Sequence, residues 1–126
     1  MYTYYFEKLT VWQDSKQLVI LIYTITKKFP TTERYGLASQ LQRAAVSVPT
    51  NISEGSARRT AKDQMHFYNL AFASLMETLN LLIIAYEIGY LDQNSYTDFR
   101  SLVDKIANKI NALNKKLTTP PNNSTQ

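Results

Sequence analysis

Side chains able to do covalent or metal chemistry are few in this chain. Its 126 residues include one histidine, His66, and no cysteine, which leaves no thiolate nucleophile, no disulfide framework and no zinc knuckle. Di-metal helical bundles project carboxylates and Glu-x-x-His pairs into their cores. No Glu-x-x-His occurs here, and the interior acidic candidates reduce to Glu54 and Glu77. Two carboxylates without a histidine partner make a poor transition-metal site. His66 falls near the start of a helical segment and off its apolar seam, where a surface or partly packed residue is expected. No glycine-rich phosphate loop, nucleophile elbow or kinase signature is present. The expectation is a protein that is not an enzyme and that calls for no cofactor and no metal.

Recognition through charge is the stronger possibility. Lysine and arginine number 14 against 10 aspartates and glutamates, a net charge of +4. Arg58, Arg59 and Lys62 cluster in one connector, with only Glu54 and Asp63 nearby. Lys105, Lys109, Lys115 and Lys116 follow the last acid, Asp104. Lysines near a helix C-terminus complement its dipole and keep a face soluble. The alternative is a track for phosphates, with affinity that falls steeply with salt. On that reading Arg58, Arg59, Lys62, Lys105, Lys109 and Lys116 contact RNA or DNA. The track is thin on one copy and concentrated in a ring of identical subunits. Tyr90 and Tyr96 could stack bases but are better explained as packing.

A third chemistry-bearing feature lies in residues 40–59, QLQRAAVSVPTNISEGSARR. Leu37, Leu41, Ala44, Val48 and Ile52 recur at steps of three and four and share a helical face. Gln40, Arg43, Ser47, Asn51, Glu54 and Arg58 repeat the spacing beside it. So regular a polar row predicts a hydrogen-bonded network against neighbouring helices. Glu77, mid-helix among apolar and small residues, is expected to join it through an interhelical salt bridge to Arg43 or Arg58; an acidic ligand site and simple exposure are the other readings. Pro49 predicts a kink, with Ser47, Thr50 and Ser53 placed to satisfy freed carbonyls.

Four amphipathic segments must position these groups. The first starts at Thr10, where TVWQ has the form of a capping box, and carries Val11, Ser15, Leu18, Ile22, Ile25 and Phe29 until Pro30. Residues 31–36 are irregular, with Thr31 or Thr32 available to cap. The second helix runs from Leu37 to Glu54 and stops at Gly55, a residue suited to a C-terminal cap. The third opens on a capping box, Thr60 to Asp63, with a seam of Met65, Tyr68, Phe72, Leu75, Leu79, Leu82 and Tyr86. Its narrow second stripe, Ala71, Ser74 and Thr78, admits a close neighbour. Gly89 ends it. Asp92 caps the fourth, whose seam is Tyr96, Phe99, Val103, Ile106, Ile110, Leu113 and Leu117. The fold expected is all-α, an antiparallel up-and-down four-helix bundle over residues 10–117. An extended aromatic arm, 1–9, would precede it and a disordered tail, 118–126, would follow.

The apolar run at 79–88 is about half of the roughly 20 residues a membrane span needs and contains Asn80 and Glu87, so no membrane is expected. Its excess of apolar directions predicts instead a contact with another copy of the chain. The start, MYTYYFEK, lacks the form of a signal peptide, and the missing cysteines suit a reducing cytoplasm.

These motifs resemble those of the bacterial four-helix-bundle proteins called 23S rRNA-intervening-sequence proteins. The resemblance covers residues 9–117. It is carried most specifically by Gln40, Arg43-Ala44-Ala45, Ser47, Pro49, the run from Asn51 to Gly55, and Arg58. Val11-Trp12, Phe29-Pro30, Ser74 with Glu77, and Gly89-Tyr90-Leu91 add to it; Ser53 stands where the family commonly has alanine. The related accessory variability determinant of diversity-generating retroelements is a pentamer that binds nucleic acid and a reverse transcriptase. The resemblance thus implies a homopentamer with a basic surface, nucleic acid or a reverse transcriptase as partner, and motif residues Arg43, Asn51, Glu54 and Glu77 in structural roles. An adaptor that binds a protein and no nucleic acid is the alternative.

Overall fold

A computed structural model describes residues 1–118, and the expected tail lies outside them apart from Thr118, which ends the last helix. Four helices follow in order: α1 (Thr10–Thr26), α2 (Leu37–Ser56), α3 (Ala61–Glu87) and α4 (Gln93–Thr118). Each packs on its two sequence or ring neighbours, α1 on α2 and α4, α3 on α2 and α4, so the four close into an up-and-down bundle. The α2–α3 seam is the most extensive and α1–α4 the least.

Apolar periodicity explains the core. Leu18, Ile22, Leu41, Val48, Ile52, Leu75, Leu82, Val103, Ile106 and Ile110 are buried on the inner faces. On α3 the buried line is displaced from the expected seam. Ala71, Leu75, Thr78, Leu82 and Ala85 lie innermost, while Phe72, Leu79 and Tyr86 are only half-buried. Small residues therefore face α2, which contributes Ala38, Ala44, Ala45 and Gly55, and the two backbones approach closely. Buried hydroxyls are satisfied within their own helices: Ser15 donates to the Val11 carbonyl at 2.7 Å and Thr78 to that of Ser74 at 2.8 Å.

Helix termini show where local rules held. Thr60 Oγ1 accepts from the Asp63 amide at 3.1 Å. Asp92 Oδ1 accepts from the Ser95 amide at 2.7 Å, and this bond chiefly holds the Asp92 carboxyl below the usual carboxylate range. Gly89, at φ +89°, closes α3 in a Schellman motif, with the Tyr90 amide on the Ala85 carbonyl at 2.8 Å.

Several expectations are corrected. Thr10 is the first helical residue rather than a cap, and Gln13 Nε2 donates to the Glu7 carbonyl at 2.9 Å instead of closing a box on Thr10. The arm is not wholly extended, because Tyr5–Lys8 forms a 3-10 turn packed on α1 and α2. Neither Thr31 nor Thr32 caps α2. Glu33 does so, Oε1 accepting from the Leu37 amide at 3.2 Å while Oε2 accepts from the Tyr90 hydroxyl at 2.9 Å. Gly55 lies inside α2, buried against α3. A Cβ there would stand 2.8 Å from the Tyr68 ring, so close packing requires this glycine.

Pro49 sits within a continuous helix. The hydroxyls around it bond to Arg43, Val46 and Thr50 carbonyls, not to that of Ala45, which the proline leaves without its usual donor. Along 79–88, Leu81, Leu82 and Ala85 are buried in the bundle; of the apolar residues, Ile84 and Ile88 stay exposed, beside Asn80 and Glu87. By length and composition α3 is apolar enough to cross a membrane, a property that the shorter run at 79–88 concealed. One of its faces is nevertheless occupied by the bundle core, and Glu77 is exposed at mid-helix.

Candidate nucleic-acid interface

Antiparallel topology gathers the start of α1, the α2–α3 connector and the end of α4 at one end of the bundle. Lys8, Arg58, Arg59, Lys62, Lys115 and Lys116 lie there against Glu7, Glu54 and Asp63. The opposite end sets Lys27, Lys28, Arg34 and Arg100 against Glu33, Glu87, Asp92 and Asp98. The chain's positive excess is therefore concentrated at the first end.

Local folding fixes part of this surface. The Arg58 guanidinium stacks over the Phe67 ring, 4.4 Å from its centroid, and its own carbonyl accepts from Gln64 Nε2 at 2.9 Å. Arg59 and Lys62 are exposed on the connector and the first turn of α3. Lys116 and Lys109 rim an apolar groove of about 250 Å³ floored by Leu9, Val11, Ala112 and Leu113.

Lys105 and Lys109 have another role. Lys109 Nζ lies 2.6 Å from Asp14 Oδ2 and Lys105 Nζ 3.6 Å from Oδ1, bracketing a carboxylate that is only 17% exposed. The i,i+4 spacing that suggested a phosphate track is satisfied by an acid on α1. Sequence inspection missed Asp14 because nothing along the chain pairs it with residues some ninety positions away.

The polar row does not build the expected network. Ser47 Oγ donates to the Arg43 carbonyl at 3.1 Å and Asn51 Nδ2 to the Ser47 carbonyl at 2.8 Å, both within α2. Gln40, Arg43, Glu54 and Glu77 are exposed. Glu77 forms no salt bridge with Arg43 or Arg58. Instead Gln40, Arg43, Ala44, Ser47 and Glu77 line an open groove of about 340 Å³ between α2 and α3. The row lies far enough round the helix for its long side chains to reach water, so no desolvation forces them to pair. His66 is exposed and rests edge-on against Phe67, and among the described residues no three histidine, aspartate or glutamate side chains gather where an ion could sit.

The family model for 23S rRNA-intervening sequence proteins matches residues 7–112. The chain belongs to that family. A second likeness is to the crystal structure of a protein with unknown function from the S23 ribosomal protein family of Bacteroides thetaiotaomicron VPI-5482. The two share 19% sequence identity and a TM-score of 0.78, over 84% of this 23S rRNA-intervening sequence protein and 96% of the other chain. At that identity the likeness concerns the fold. No curated protein matches the chain.

Proposed function

We propose that this protein is a non-enzymatic, oligomeric bundle that binds RNA or DNA through its basic end. The observation that carries the proposal is the convergence of Arg58, Arg59, Lys62 and Lys116, with Lys8, on one end of the bundle. Cations so grouped are attracted to phosphate and release counterions on binding, which makes affinity salt-dependent. Lys105 and Lys109 belong to Asp14 first, so they border the interface rather than form its centre. Several copies in a ring, five by the family resemblance, would repeat the patch and add avidity.

The test is fluorescence anisotropy with labelled RNA and DNA across a salt titration. Replacing Arg58, Arg59 and Lys62 with Glu should abolish binding while light scattering reports an unchanged oligomer; unaltered affinity would discard the proposal. A second reading, an adaptor that binds a protein and no nucleic acid, draws on the exposed apolar side chains Leu70, Ile84 and Ile88 of α3. It predicts no affinity for bare nucleic acid at any salt concentration.

A further inference from the structure

Three aromatic rings stand in water at the basic end. Tyr2, Tyr4 and Tyr5 are 75%, 61% and 64% exposed, although tyrosine is a side chain that folding normally puts to use. They are not carried on a loose tail. The Tyr4 amide donates to Glu7 Oε2 at 2.8 Å, the Glu7 carbonyl accepts from Gln13 of α1, and Phe6 packs edge-on against Trp12 at 5.0 Å. The arm's backbone is thus pinned while its tyrosine rings face outward.

They share this end of the bundle with the proposed phosphate-binding residues. The 3-10 turn that carries Tyr5 packs on α1 and α2, at the end of the bundle where α2 passes into the connector. The Tyr68 hydroxyl is held above its usual range, first by burial and then by the Tyr5 phenol. Tyr68 packs on Gly55 beside Phe67, and Phe67 carries the Arg58 guanidinium. The arm and Arg58 thus share one end of the bundle. Tyr2 and Tyr4 meet edge to face at 4.8 Å, an arrangement that leaves ring faces open.

Resting on the basic-end reading above, we infer that the aromatic arm makes this end selective for single-stranded nucleic acid, with Tyr2, Tyr4 and Tyr5 as platforms for unpaired bases. Cations alone hold a duplex and a single strand alike through phosphates. Exposed rings add a term only for bases whose faces are free, because those of a duplex are already covered by their neighbours. Lys8, within the same turn, and Arg58, stacked on the Phe67 ring at the same end, supply the phosphate contacts.

The experiment compares a labelled 20-nucleotide strand with the same strand annealed to its complement. The wild type should bind the single strand at least about tenfold more tightly. Replacing Tyr2, Tyr4 and Tyr5 together with Ala should remove that preference, leaving duplex affinity and salt dependence unchanged. The triple Phe variant, which keeps the faces and drops the hydroxyls, should bind like wild type. Equal wild-type affinity for both forms, an Ala variant that binds normally, or a Phe variant that fails as Ala does would each overturn the inference while the basic-end reading stood. So would a fall in assembly mass for the Ala variant, which would assign the arm to contacts between copies. Failure of that reading is scored separately, by normal binding in the variant with Glu at Arg58, Arg59 and Lys62.

Discussion

Gly55 shows how one residue can satisfy two rules that give opposite answers. Glycine after an apolar periodic run predicts a helix stop, yet α2 continues through Ser56 because the missing side chain is needed against Tyr68 and Phe67. Alanine there gains up to about 1 kcal/mol of helix propensity, but overpacking a closed seam costs about 1–3 kcal/mol. Gly55→Ala should therefore destabilise the protein by about 1 kcal/mol or more, read from the midpoint of urea unfolding. Asp14 is the other decisive residue. Removing its carboxylate leaves Lys109, 32% exposed, without its partner. Asp14→Ala should cost about 1–2 kcal/mol, between the values for surface pairs and for hydrogen bonds to charged groups. Nucleic-acid affinity should not fall. Neither effect was legible beforehand, because each depends on which residue faces which across a seam.

Elements were far more legible, since their cues are local. Most of the apolar steps of three and four along α1, α2 and α4 fall on buried residues, with Ile25, Leu37, Tyr96, Leu113 and Leu117 half-buried, and Thr60, Gly89 and Asp92 end or start helices as their types require. Thr10, Thr31, Thr32 and Gly55 were exceptions: α1 starts after Leu9 with no side-chain cap, Glu33 accepts from the first amide of α2, and Gly55 lies inside that helix. Displacement of the α3 seam has its own cause: small residues, invisible to a search for large apolar ones, mark the closest approach. Two element-scale outcomes follow. A Cβ at Gly89 meets nothing within 4 Å, so the cost of Gly89→Ala arises from its positive φ alone, about 1 kcal/mol, seen as a lowered Tm. Asp92 titrates with a depressed pKa in the folded state, so its stabilisation is present above the unfolded carboxylate pKa, about 4. That stabilisation disappears as pH falls through the lower folded value. The Tm difference between wild type and Asp92→Ala should accordingly be full at pH 7 and shrink toward pH 2.

For the whole molecule, charge distribution matters more than net charge. Before the fold was known, residues 58–62 and 105–116 looked like parts of one track. Antiparallel packing does bring the first group and Lys116 to one end, but it turns Lys105 and Lys109 toward α1. Reversing Lys105 and Lys109 to Glu should thus impair folding more than binding, lowering the urea midpoint while the salt slope of RNA or DNA binding changes little. The polar row of α2 was readable as a pattern and misread as a network, because spacing reports a shared face without reporting its depth.

One seam of the ring differs from the other three. α1 and α4 are the first and last helices, no connector joins them, and theirs is the thinnest contact, reinforced by the Asp14 bracket. Such a barrel has a clasp. Amide hydrogens lining that edge should trade with deuterium soonest, and the outermost stave should swing free of the other three well before they separate.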